Sequence, residues 1–541
     1  MSTRTVSTPA RAPLADGSRP LLRLAFAAPL SVVAGLLLVT AYPALAWWPM
    51  AFPAVVLTLL TLIGRRFWSA VLVGFLFGAA FFSVNLLFTA RYLGPVPWLA
   101  LSVLEALLTA VLAAPLALAY RWMPRLAPGA LGRLVLLPAL VAGLWTLREQ
   151  IVGSWPYGGF PWGRIGVSQV NGPFAEAASW VGMSGVTFLV VLFCAMVVEL
   201  VRRRTSGSRL ARAVPAAPAA IVLIVLLVAP QFPTTDAGSL RVGAVQGNGP
   251  AGYFDRRAPN AVLNAQLAAS APLIGQRMDV LLWPEGGVDS DPTSTPATAA
   301  ALEEMSRRVD APLLVSAVTE RGDELFNSSL LWTGEGQQGD TYDKRHPVPF
   351  GEYVPDRAFW EPFAPDLIGL IGREYTPGTG RPLIDLGGIG VGLAICFDVI
   401  YDDVVWDGAA EGAEVYMFQT NNADFRGTDE NLQQLAFARM RAIETGRSVV
   451  NLSTVGTSQV IAPDGSTLDE LPIDTAGHML TDVPLRTGLT PAVVIGPAVK
   501  IVLGWGSLAA LLLAGILEAV RARGGATGGK KKTPTPEGAD V

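Results

Sequence analysis

Three segments each deliver one ionisable side chain at the end of a strand-like run. "DVLLWPEGG" ends in Glu285, "GDTYDKRHPVPFGEYVP" presents Lys344 and then Glu352, and "GLAICFDVIY" carries Cys396. A thiol, a carboxylate and an ammonium together suit nucleophilic acyl chemistry. A thiol is a few per cent thiolate at neutral pH and already strongly nucleophilic. It gains from a base that takes its proton and from a cation beside the developing negative charge. Glu285 fits the base, and Lys344 fits the cation that stabilises a tetrahedral oxyanion. The backbone N–H of Phe397, one residue past the cysteine, offers a second oxyanion donor. Each residue also has an ordinary explanation when taken singly. A cysteine in an apolar strand is core filler, a glutamate after Trp-Pro is a turn residue, and a lysine among charges is surface.

The surrounding runs supply elements that can hold these groups. "LRVGAVQGN", "DVLLWPE", "PLLVSAVTE", "NSSLLWTG", "IGVGLAICFD", "EVYMFQTN", "SVVNLSTVG", "SQVIAPDG" and "HMLTDVPL" predict strands. Stretches 255–270, 297–309 and 429–446 between them are helix-compatible. Strands interleaved with helices predict a layered α/β domain. "LAIC" is apolar throughout, as in a strand buried on both faces. Side chains at the ends of such strands sit beside loops, where sites form. The helix at 429–447 is taken as structural, with Arg439, Arg441 and Glu444 available to pair.

The rest of the chain belongs in a bilayer. Of 541 residues 51% are apolar and only 16% charged, and the mean hydropathy is +0.42. Soluble domains carry about 25% charged residues. Apolar segments at 24–42, 49–63, 67–88, 97–120, 131–148, 177–201, 214–230 and 495–519 predict about eight transmembrane helices, most near the ~20 residues that span a membrane. Arginines mark one side: Arg4, Arg11, Arg19 and Arg23; Arg65 and Arg66; Arg121, Arg125 and Arg133; Arg202, Arg203, Arg204, Arg209 and Arg212; Arg521 and Arg523 with Lys530 to Lys532. Positive loops stay cytoplasmic, which puts both termini inside and the large segment outside. The predicted division is a tail at 1–20, a seven-helix membrane domain at 21–232, a catalytic domain at 239–487, an eighth helix at 495–519 and a tail at 520–541, both tails disordered and cytoplasmic. "PALA" before Trp47 resembles a signal-peptidase site, but a second apolar segment follows it at once. Two cysteines and two histidines, His346 and His478, argue against a disulfide framework and a zinc site. No metal or other cofactor is implied. No basic domain points to nucleic acid.

Together the three segments resemble the nitrilase superfamily over about residues 240–487. "WPEGG", "YDKRHPVPFGEYVP" and "ICFDVIY" match the motifs that carry its Glu-Lys-Cys triad, at Glu285, Lys344 and Cys396. "KRHPVPFGEYVP", with "GGFPWGRIGVSQ" at residues 158–169, is similar to the membrane-anchored branch, the bacterial apolipoprotein N-acyltransferases. The resemblance implies an α-β-β-α sandwich outside the cytoplasmic membrane. It implies a ping-pong acyl transfer through a cysteine thioester, from the sn-1 position of a phospholipid to the α-amino group of a diacylglyceryl-cysteine at a lipoprotein N-terminus. Glu352 becomes the accessory acid that positions Lys344. The expected partners are a phospholipid donor, an apolipoprotein acceptor and the membrane, with the enzyme as a monomer.

Both lipids require a site at the bilayer surface. The segment 352–375 after the lysine is apolar, and Trp360, Phe363, Leu367 and Ile368, with Leu370 and Ile371, are candidates for a lid over an acyl chain, or for simple packing against the domain. "GSWPYGGFPWG" carries interfacial Trp and Tyr and suits a docking loop beneath the domain. Two positions depart from the resemblance: Asp398 where a glutamate is usual, and Asp424-Phe425 where Trp-Phe is usual. The rival expectation is a membrane-anchored amidase acting on a small C–N bond, though an anchor needs one span. A transporter would carry ionisable residues in its spans, where Glu105 is the clearest, and no serine-hydrolase elbow is present.

Overall fold

The computed structural model describes residues 19–202 and 216–528. Arg4, Arg11, Arg203, Arg204, Arg209, Arg212, Lys530 to Lys532 and most of both expected tails lie outside the described residues.

Among the described residues five helices are long and apolar enough to cross a membrane: Phe67–Asn85, Pro95–Leu126, Gly132–Val152, Ala175–Arg202 and Pro491–Arg523. Leu24–Val39, Trp48–Leu62 and Ala217–Val228 are shorter apolar helices at the other three expected positions. Small residues let the long helices meet closely. A Cβ added at Gly78 would lie 2.9 Å from the Ala106 backbone, so Phe67–Asn85 and Pro95–Leu126 touch through backbone, as membrane helices do. The last helix continues past the expected end at 519 to Gly528. Near its end Glu518 pairs with Arg125 at 3.4 Å, and Arg521 donates to the Arg125 carbonyl.

The α/β domain holds two six-stranded mixed sheets, ordered β12-β1-β2-β3-β4-β5 and β11-β10-β9-β8-β7-β6. The strands are β1 Thr235–Gln246, β2 Val280–Leu282, β3 Leu313–Arg321, β4 Glu324–Thr333, β5 Gly336–Asp343, β6 Leu383–Leu386, β7 Ile389–Ile395, β8 Val415–Thr420, β9 Val449–Ser453, β10 Ser458–Ile461, β11 Thr467–Leu471 and β12 Gly477–Thr487. Strand periodicity separates two cores. Leu240, Val242, Val280, Leu282 and Leu314 join the core shared with β7–β9. Their alternates Leu281, Trp283, Leu313 and Val315 lie with Leu263 and Leu302 of the outer helices, Ala261–Ser270 and Pro296–Val309. Helices Asp402–Ala410 and Glu430–Thr445 cover the other sheet. The result is an α-β-β-α sandwich whose second helical layer rests on the membrane helices.

One buried carboxylate fastens that contact. Asp402 meets Arg164 at 2.7 Å, Arg441 at 2.9 Å and Lys500 at 2.8 Å. These partners come from the "GGFPWGRIGVSQ" loop, the Glu430–Thr445 helix and the final helix. Burial alone would raise Asp402, but Arg164, Lys500 and Arg441 hold its carboxyl well below the usual range. Arg441 also pairs with Glu444 at 2.6 Å, whereas Arg439 reaches Asn171 instead.

Candidate active site

Glu285 lies just beyond β2, Lys344 directly after β5, and Cys396 directly after β7. The carboxyl ends of sheet strands are where ligand crevices form. β7 approaches β8 so closely that a Cβ at Gly392 would lie 2.4 Å from the Tyr416 ring. The chain then turns sharply. Cys396 has φ +49°, a left-handed conformation uncommon for a side chain of this kind and found where surrounding structure enforces it. A short helical turn, Cys396–Ile400, follows.

Asp398 enforces that turn. Its carboxylate accepts from Ile395 N at 3.2 Å, His346 N at 2.9 Å and the Tyr342 hydroxyl at 2.7 Å. It therefore ties the cysteine turn to the strand end that carries Lys344. The departure at 398 is accounted for by this geometry, in which a short side chain bonds the backbone three residues back.

Lys344 is fully buried between two carboxylates, with Nζ 3.2 Å from Glu285 Oε1 and 2.9 Å from Glu352 Oε1. Asn327 Nδ2 donates to Glu285 at 2.7 Å and reaches Glu352 at 3.5 Å. Glu352 is anchored in turn by Val348 N at 2.7 Å. Burial opposes the charge on Lys344, yet Glu285 and Glu352 hold it well above its ordinary range, so it remains a cation. Burial pushes Glu285 up, and Lys344 pulls it back only in part. Burial, followed by the charge of Glu285, pushes the Cys396 thiol well up while Lys344 opposes them. Burial thus favours the thiol form of Cys396 and raises the basicity of Glu285, while Lys344 is held as a cation between the two carboxylates.

A cavity of 1010 Å³ joins these groups. Glu285, Lys344, Cys396 and Glu352 line it, as do Trp360, Phe363, Leu367 and Ile368. The apolar segment both packs and projects: Ile368 and Ile371 are buried with Val354, while Phe363 is 73% exposed. Phe397 lies outside the lining; its ring packs on Phe160 and Tyr401. Asp424 lines the cavity and accepts from Tyr253 N at 2.8 Å, while Phe425 packs on Phe88 and Tyr92. The cavity also runs along the membrane helix Pro95–Leu126 as far as Glu105. The "GSWPYGGFPWG" loop forms part of its wall through Trp155, Tyr157 and Phe160.

Several contributors were not singled out in the sequence. Gln434 Nε2 lies 3.4 Å from Cys396 Sγ. Asn422 Nδ2 donates to Gln434 Oε1 at 3.0 Å and to Glu430 Oε2 at 2.7 Å, which turns the Gln434 amide so that its donor faces sulfur. Gln419 spans the two sheets, donating to Trp283 O at 2.7 Å. The signal for them was polar residues on a helix face and strands that are otherwise buried. Cys194 is a separate, free, buried thiol in a membrane helix.

The family profiles and relatives that match this chain define a multi-pass membrane acyltransferase of the carbon–nitrogen hydrolase superfamily. Residues 34–196 match the family profile described as the apolipoprotein N-acyltransferase N-terminal domain, and 241–488 match carbon-nitrogen hydrolase. The chain belongs to the apolipoprotein N-acyltransferase family. It is 32% identical over 525 residues to the apolipoprotein N-acyltransferase of Mycolicibacterium smegmatis, covering 90% of this chain and 85% of the relative. The Shewanella oneidensis enzyme is 27% identical over 437 residues, covering 77% and 80%. Among solved structures, an amidase from Nesterenkonia sp. AN1 aligns with 47% of this chain and 93% of its own at 20% identity and a TM-score of 0.36.

Proposed function

We propose that the chain N-acylates apolipoproteins by a two-step transfer through Cys396, with a phospholipid as donor. The supporting observation is that Glu285, Lys344 and Cys396 share one cavity with a membrane helix. Glu285 takes the thiol proton as sulfur attacks the sn-1 ester carbonyl. The oxyanion is held by Lys344, which lines the cavity. The carbonyl re-forms, the C–O bond breaks, and the lysophospholipid leaves with the proton from Glu285. The α-amine of the diacylglyceryl-cysteine then attacks the thioester, loses a proton to Glu285 and expels the thiolate, which is reprotonated. Glu352 fixes Lys344 between the two carboxylates.

The catalytic segment, about 239–487, is assigned outside the membrane, with seven helices before it, one after it and both ends inside. Helices that begin at the α/β domain carry Arg125, Arg202 and Arg521 toward their far ends, in keeping with cytoplasmic positive charge.

The test uses right-side-out vesicles given labelled phospholipid without acceptor. Acyl mass is expected on the Cys396 peptide, absent in Cys396→Ala, and added protease should cut within 239–487. Lipoprotein acylation with no adduct at Cys396, or an adduct at Cys194, sinks the mechanism. Protection from protease sinks the orientation.

A further inference from the structure

The cavity presents two arginines, and they are used differently. Arg257 donates to Pro250 O at 3.0 Å and lies 3.6 Å from Asp289. Arg373 is half-buried and lines the same cavity, yet among the described residues no oxygen forms a hydrogen bond or ion pair with it. Its contacts are ring faces: the guanidinium lies 3.7 Å from the Tyr253 centroid and 5.8 Å from that of Tyr375. A guanidinium carries five donors in a flat fork, and leaving them unmet away from bulk water is costly. Stacking satisfies the face of the cation and leaves its N–H edge for another partner.

The platform beneath it is rigid. The Tyr253 hydroxyl donates to Leu370 O at 3.2 Å and accepts from Gly372 N at 3.0 Å, and its backbone N–H is taken by Asp424. Two residues on, Tyr375 N donates to Glu352 O at 3.0 Å, which ties this strap to the residue that holds Lys344. A planar fork fixed near an acyl-transfer centre is suited to a phosphate, which it can grip through two parallel bonds. A phospholipid carries its phosphodiester a few bonds from the sn-1 ester. The charges of Asp424 and Glu352 act on Arg373 through space, so the rival role is to shape the strap alone.

We propose that Arg373, stacked on Tyr253, binds the phosphate of the acyl-donor lipid. This rests on the acyl-enzyme reading above. The experiment measures acylation of Cys396 in detergent by wild type, Arg373→Gln and Arg373→Lys with two donors. One is phosphatidylglycerol; the other is the p-nitrophenyl ester of the same fatty acid, which has no phosphate. Arg373→Gln is expected to raise the KM for phosphatidylglycerol tenfold or more while the ester reaction stays within twofold, with part of the loss recovered in Arg373→Lys. Equal loss with both donors, or no loss with either, overturns the assignment. Inhibition of the wild-type ester reaction by millimolar inorganic phosphate would assign the fork to free phosphate and overturn it as a lipid site. Wild type that acylates with neither donor overturns the acyl-enzyme reading itself, an outcome separable from a defect confined to the variants.

Discussion

At the scale of single residues, the site works by setting buried charges against one another. Lys344 keeps its charge because two carboxylates bracket it, and Glu285 keeps basicity because burial offsets the lysine. Glu430 is a further buried acid, at the far end of the Gln434–Asn422 chain that reaches sulfur. Burial moves it from its ordinary 4.5 up to about 8, against the hydrogen bond from Asn422. The folded protein therefore binds a proton there that the unfolded chain has already released. The associated stability is complete below about pH 4.5 and is lost as pH rises through about 8. At about 1.4 kcal/mol per pH unit, the separation caps the effect at about 5 kcal/mol. Glu430→Gln should keep its thermal midpoint between pH 6 and pH 9 in detergent better than wild type does. Parallel losses in both proteins would remove Glu430 from this role. Glu285, Lys344, Cys396 and Glu352 stood out because each sits in a recognisable phrase, and the fold brings all four to one cavity. Asn327, Gln434 and Asn422 were not, because an amide in a buried strand or helix acquires meaning only from what it faces.

At the scale of elements, all nine strand runs read from the sequence are strands in the fold. β5 was visible only as the strand-like approach to Lys344, and β6 and β11 escaped because both lie at sheet edges or are half polar, without a clear alternation. The Asp402–Ala410 helix was also missed, since "DDVVWDGAA" is short and follows the cysteine turn directly. The Glu430–Thr445 helix reads as amphipathic and structural in sequence, with Arg439, Arg441 and Glu444 available to pair. In the fold its polar residues are buried on both sides, Gln433 against the membrane half at Trp162 and Gln434 beside Cys396, and Arg441 is fully enclosed. Asp402 is what makes this burial tolerable. Asp402→Ala leaves Arg164 and Arg441 buried without their shared partner, a loss on the order of 3–5 kcal/mol, read as a lower thermal midpoint. Because the carboxyl is held below its ordinary range, its contribution is present above about pH 4 and fades in acid. The gap between variant and wild type should therefore narrow toward pH 3. An unchanged midpoint at pH 7 would show that the clamp contributes nothing.

At the scale of the molecule, the two halves share one cavity, so the membrane helices do more than moor the domain. Val96, Pro97, Ala100, Leu101, Leu104 and Glu105 all line it, a spacing that follows one face of a helix turning every ~3.6 residues. From Pro95 to Glu105 that face descends about 15 Å at ~1.5 Å per residue, apolar until a carboxyl stands at its lower end. Such a face behaves as a ruler. Each turn down the helix marks a longer acyl tail, and a bulkier side chain on it moves the mark upward. Ala100→Phe should shift preference toward shorter chains in a competition between donors of two lengths, with folding preserved; an unchanged ratio would show that the tails lie elsewhere. On the proposed thioester mechanism, a helix that looks like an anchor would then limit the length of the chain that the cysteine carries.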